Sequence, residues 1–74
     1  MSFKVSVIIE KDEAGYYAYA PELEGCQSQG DTLDEVMANI REATSLYWET
    51  LDENEKQELR NQEILTTSVE VGVG

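Results

Sequence analysis

The stretch "YYAYAPELEGCQSQGDTLDEV", residues 16–36, begins as a strand, breaks, and ends as the first turn of a helix. Tyr16, Tyr17 and Tyr19 with their alanines are aromatic β-formers at strand spacing. Pro21 ends pairing because it has no N–H to donate to a ladder. Gly25 stands where a bulge or a positive φ is needed, and "CQSQ" before Gly30 is long enough for a short further strand. "TLDE", residues 32–35, then reads as a capping box. Thr32 accepts from the Glu35 N–H while Glu35 reaches back, and Asp31, Asp34 and Glu35 suit the positive end of the helix dipole.

Upstream of this stretch, Phe3, Val5, Val7 and Ile9 alternate with Lys4, Ser6 and Ile8, which predicts a first strand over 3–9 with one buried face. The polar "EKDEAG" joins it to the tyrosine run as a hairpin. Within that run Tyr17 and Tyr19 share one face, and Tyr16, Ala18 and Ala20 the other. The helix covers one of these faces, and the face it leaves free is a candidate partner surface. Downstream, Leu33, Val36, Met37, Ile40, Thr44, Tyr47 and Leu51 recur at helical spacing, so this stripe lies on the sheet. Leu46 and Trp48 fall off its centre, with Trp48 assigned to core packing. Residues 52–63 carry Leu59 as their one apolar residue and read as a polar linker or short helix. In the last segment Val69, Val71 and Val73 alternate with Ser68, Glu70 and Gly72, which predicts a terminal strand joining the sheet or a neighbouring subunit. No repeat or boundary divides the chain, so residues 1–74 are read as a single domain.

A chain of 74 residues is marginal as a monomer, because a domain this small buries only roughly 60% of its unfolded surface. The single Cys26 forms no internal disulfide and nothing resembles a zinc ligand set, so self-association is the expected remedy. The net charge is −11, from 5 basic and 16 acidic residues. Residues 10–35 carry eight acids against Lys11 alone, and residues 49–63 carry six against Lys56 and Arg60. Such a surface repels phosphate and argues against direct binding of DNA or RNA. The same field attracts a basic protein and speeds its docking. The chain contains neither a transmembrane run nor a signal-peptide pattern, and a cytoplasmic location is expected.

There is no histidine, which removes the commonest general base and every Ser/His or Cys/His nucleophile pair. Cys26 sits among acids that disfavour its thiolate, and reads as a small buried hydrophobe. "GCQSQG" lacks the Lys-Ser/Thr ending of a phosphate loop, and the acids do not have the alternating spacing of a calcium loop. No enzyme, cofactor or metal is expected.

The ordered string "YYAYAPELEGCQSQGDTLDEVMANIREA" resembles the HicB-like antitoxin family. There an aromatic strand, a Pro-x-Leu-x-Gly-Cys turn, a Gly-Asp-Thr helix start and an Asn-x-x-Glu-Ala helix follow in this order. Here these are Tyr17 to Tyr19, then Pro21, Leu23, Gly25 and Cys26, then Gly30 to Thr32, then Asn39, Glu42 and Ala43. The resemblance covers roughly residues 3–51, and the more usual Pro-containing turn after the helix is missing. It implies an α+β fold of partial RNase H-like type: an antiparallel sheet of three to four strands with one long helix across one face, β-β-β-α-β. It also implies a non-catalytic antitoxin that binds and covers a small basic HicA-type RNase toxin, and assembly as a dimer or tetramer. Many members add a C-terminal DNA-binding domain, for which this chain is too short. The candidate contact charges are Glu22, Glu24, Asp31 and Asp34. The alternative is an orphan oligomeric domain of the same fold, structural or ligand-binding, whose acidity keeps it in solution.

Overall fold

A computed structural model describes residues 3–74. Three strands, β1 (Ile8–Asp12), β2 (Gly15–Tyr19) and β3 (Gln27–Gly30), form an antiparallel sheet in the order β1-β2-β3. A long helix, α1 (Leu33–Glu49), packs across one face, and a shorter helix, α2 (Glu53–Arg60), follows it.

The hairpin forms as the sequence expects, with Asp12 paired to Gly15 and the Asp12 carboxylate accepting the Ala14 N–H at 2.8 Å. Strand 1 is shorter than the alternation predicted: it begins at Ile8, and residues 3–7 belong to no strand. The reason lies in the partner. Ile8 pairs with Tyr19, the last residue of β2, and beyond it the Ala20 N–H turns away to the Cys26 carbonyl. Pro21 has no N–H with which to extend the ladder. The Glu22 carboxylate takes over this role at one point, accepting the Ser6 N–H at 2.7 Å. Val5 and Val7 still pack on the core from this unpaired segment.

The reversal between β2 and β3 is closed by Leu23 N–H to Ala20 O and Cys26 N–H to Leu23 O, with Gly25 at φ +79°. This folds Leu23 and Cys26 inward. They join Ala18, Ala20, Val36 and Ile40 in the fully buried core. The stripe on α1 is thus real but narrower than its apolar residues: Val36 and Ile40 are buried and Tyr47 and Leu51 pack at its edge, whereas Leu33 and Met37 flank it and stay exposed. Thr32 caps α1 by accepting the Glu35 N–H at 3.1 Å. Only this half of the expected box is made.

Residues 52–63, expected as linker or short helix, contain α2. Asp52 and Glu55 form the full reciprocal box, Asp52 accepting from Glu55 N–H at 2.8 Å and Glu55 from Asp52 N–H at 3.1 Å. Trp48 is held within its own chain: its ring stacks on Phe3 with centroids 4.9 Å apart. Lys56 Nζ and Arg60 Cζ lie 5.4 and 5.9 Å from its centroid, which ties α2 to the end of α1. The terminal strand expected from Val69, Val71 and Val73 is not paired: residues 62–74 form no strand, and these valines are exposed. The element order is therefore β-β-β-α-α. An alternating segment becomes a strand only against a free ladder, and this one contacts none.

Candidate interaction surface

The antiparallel register decides which side chains the sheet offers to its surroundings. Helix α1 covers the small side of β2, where Ala18 and Ala20 are buried and Tyr16 packs against the core. Side chains alternate along a strand, so the open face carries Tyr17 and Tyr19 from β2, Ile8 and Glu10 from β1, and Gln27 and Gln29 from β3. The two tyrosine rings tilt together with centroids 5.7 Å apart, and Tyr17 OH donates to Gln27 Oε1 at 2.6 Å. This gives a flat aromatic and amide surface with hydrogen-bonding tips, suited to protein contact.

At the end of the sheet where β3 passes to α1, an open groove of about 590 Å³ is lined by Asp12, Tyr16, Tyr17, Gln29, Asp31 and Glu35. The hairpin brings Asp12 opposite Gly15, and Gly15 lies against Gly30 with only 2.9 Å from an added Cβ to the Gly30 carbonyl. That crossing puts the hairpin carboxylate beside those at the start of the helix. Asp12 and Glu35 are not marked as contact charges by their local sequence alone. The strand register implied by the hairpin was the signal that could have found them.

The four charges singled out from sequence do not form one patch. Asp31 and Asp34 are exposed at this end of the sheet. Glu22 and Glu24 lie in the turn at the opposite end of β3, about 10 Å of strand away. Glu24 is exposed, but Glu22 is half-buried and its carboxylate is occupied by the Ser6 N–H. Glu22 is thus a structural residue first.

Among the described residues no group of three or more acidic or cysteine side chains converges into a metal-ligand arrangement. Cys26 is buried, and burial pushes its thiol pKa up, which holds it in the unreactive protonated form. No described helix is long and apolar enough to cross a membrane.

Residues 5–70 match the family model described as the HicB-like antitoxin of bacterial toxin–antitoxin systems. The chain belongs to the HicB-like antitoxin family. Similar proteins include a UPF0150 protein of Helicobacter pylori, 39% identical over 67 residues that span 90% of this chain and 93% of that one. A UPF0150 protein of Thermoplasma acidophilum is 48% identical over 65 residues, 85% of this chain and 94% of its own. A third, from Synechocystis, is 48% identical over 50 residues, 66% of this chain and 63% of its own. No solved structure matches significantly. The HicB-like match runs well past α1 and includes α2, beyond the segment that carries the Pro-x-Leu-x-Gly-Cys and Gly-Asp-Thr pattern.

Proposed function

We propose that this HicB-like chain is a non-catalytic antitoxin of the cytoplasm that binds a small basic RNase toxin of HicA type and covers its active site. The observation that carries the reading is the family match over residues 5–70. The charge map supports a basic partner. A chain of net charge −11 presents Asp12, Asp31 and Glu35 around one open groove beside the exposed Tyr17. Aromatic anchors ringed by charge are what a protein partner of opposite sign uses for affinity and for steering respectively. Asp31 and Asp34, with Asp12 and Glu35, are the contact charges at this end. Glu24 and Glu22 belong to a separate, weaker patch.

The test is a calorimetric titration against the product of an adjacent small basic reading frame, with RNA cleavage by that product as the second readout. Stoichiometric binding that abolishes cleavage, and that weakens with salt and with D31N/D34N, supports the reading. Absence of binding to every such neighbour overturns it and leaves the orphan oligomeric domain. The exposure of Leu65, Val69, Val71 and Val73 favours homo-oligomer formation under either reading.

A further inference from the structure

Two unpartnered features of the chain complement each other. The first is the segment 3–7. Its alternation turns Val5 and Val7 toward the core, but β2 ends too early to pair with it, and Ser6 N–H is satisfied by a side chain, Glu22. Between this segment and α1 runs a groove of about 320 Å³ lined by Phe3, Val5, Val7, Met37, Ile40 and Arg41. The second is the tail. Leu65, Val69, Val71 and Val73 are 75–96% exposed, and the last three alternate as a strand with a single apolar face.

Charge selects between possible occupants of the groove. The chain has five cations. Lys11 lies over Tyr16, and Lys56 and Arg60 lie over Trp48. Of the other two, Arg41 lines this groove, while Lys4 alternates with Phe3 and Val5 on segment 3–7 and so belongs to the opposite face of that segment. The groove lining thus carries one cation, Arg41, and no acid, so a basic partner finds no opposite charge in it. Residues 65–73 carry one charge, Glu70, and it is negative. Apolar pattern and charge sign both match.

We propose that residues 65–73 of one copy lie as an added strand along residues 3–9 of a second copy, with Val69, Val71 and Val73 entering the groove against α1 and Glu70, on the other face of the added strand, beside Lys4. Strand addition to an open edge supplies backbone hydrogen bonds, and the pockets beneath alternate residues supply register. The tail of the same chain stays off its own groove, while α2, tied to Trp48 by Lys56 and Arg60, fixes where that tail departs. Reciprocal exchange between two copies forms every contact twice and closes the assembly as a symmetric dimer. This inference does not depend on the toxin reading.

The experiment combines sedimentation velocity with cysteine trapping on the full chain. Wild type is expected to sediment as a dimer at micromolar concentration, and E70K to weaken dimerisation tenfold or more. Adding K4E to E70K restores it, since the reversed pair again has opposite signs. In a Cys26→Ser background, V5C combined with V71C is expected to give covalent dimers on mild oxidation. A monomeric wild type, an internally cross-linked monomer, absence of cross-linking, or dimers indifferent to E70K each overturn the proposal. Toxin titration of E70K separates the two ideas: it is unchanged if only the exchange is affected.

Discussion

Gly30 stands where β3 passes beneath the first turn of α1, and an added Cβ there lies 2.7 Å from the Val36 backbone nitrogen and 3.1 Å from the Glu35 carbonyl carbon. Both are backbone atoms of the helix, so neither yields by a rotamer change. Gly30→Ala is expected to cost about 1–3 kcal/mol, read as a melting temperature lower by about 5 °C or more. Gly25 differs in kind: a Cβ meets nothing within 4 Å, but its φ is +79°. Its alanine variant carries only the left-handed backbone penalty, about 1 kcal/mol. Equal losses at the two positions would reject this division. Cys26 provides a second check at this scale. Burial raises its thiol pKa in the folded state, so its contribution to stability is complete below the thiol's ordinary pKa. That contribution is lost as pH rises through the folded value. The expected outcome is slow alkylation of the native protein at mildly alkaline pH, fast alkylation once it is unfolded, and falling stability toward more alkaline pH. Rapid alkylation of the folded chain would show an accessible thiol.

At the scale of elements, α2 is short for an independent helix and depends on its cap and its clamp. Asp52 and Glu55 satisfy its first turn, and Lys56 and Arg60 sit over the Trp48 ring. Each cation over the indole contributes about 0.5–1 kcal/mol at an exposed site. K56A/R60A is therefore expected to loosen α2, shifting Trp48 emission to the red and speeding amide exchange over residues 53–60, with exchange in β2 unchanged. An unshifted emission maximum would mean that Phe3 alone positions the indole. These elements also show which parts of the fold the sequence discloses. The hairpin, the Pro21 break, β3 and the Thr32 cap are local events, each set by residues within one turn of each other, and they were legible. The box at Asp52 and Glu55 is equally local, but the polar composition around it fits a solvated linker as well as a helix. The end of strand 1 was not legible. Its partner stops at Tyr19 for a reason located across the sheet, and alternation in residues 3–7 records burial of one side rather than pairing. The candidate surface was half legible. The period of two separated Tyr17 and Tyr19 from Ala18 and Ala20, but only packing decides that the helix takes the small face. The grouping of Asp12 with Asp31 and Glu35 required the Gly15 and Gly30 crossing.

For the whole molecule the controlling quantity is the charge of −11, which acts with opposite sign on two measurable properties. In the isolated chain like charges repel within one small volume, so salt relieves a destabilising field. Between the chain and the basic toxin proposed as its partner the same field would accelerate encounter, so salt would remove a favourable one. From about 0.01 M to about 0.1 M salt the Debye length shrinks from about 30 Å to about 10 Å, which reaches from one end of the sheet to the other at the lower value and little further. Over that range the melting temperature of the free chain is expected to rise, while its association rate with the basic toxin falls by about tenfold or more. If Tyr17 and Tyr19 anchor the proposed partner, the dissociation rate rests on short-range contacts and should change far less. D31N/D34N removes two charges from the exposed groove end and should lower the association rate, with only the small loss of stability, about 0.3–1 kcal/mol per charge, that weaker pairing with the α1 dipole brings. E22Q weakens the bond to Ser6 N–H and should do the reverse, lowering the melting temperature with little change in association rate. Stopped-flow association and thermal melts of these variants across one salt series measure both signs together. If melting temperature and association rate move in the same direction with salt, the acidic surface is not the element that steers a partner.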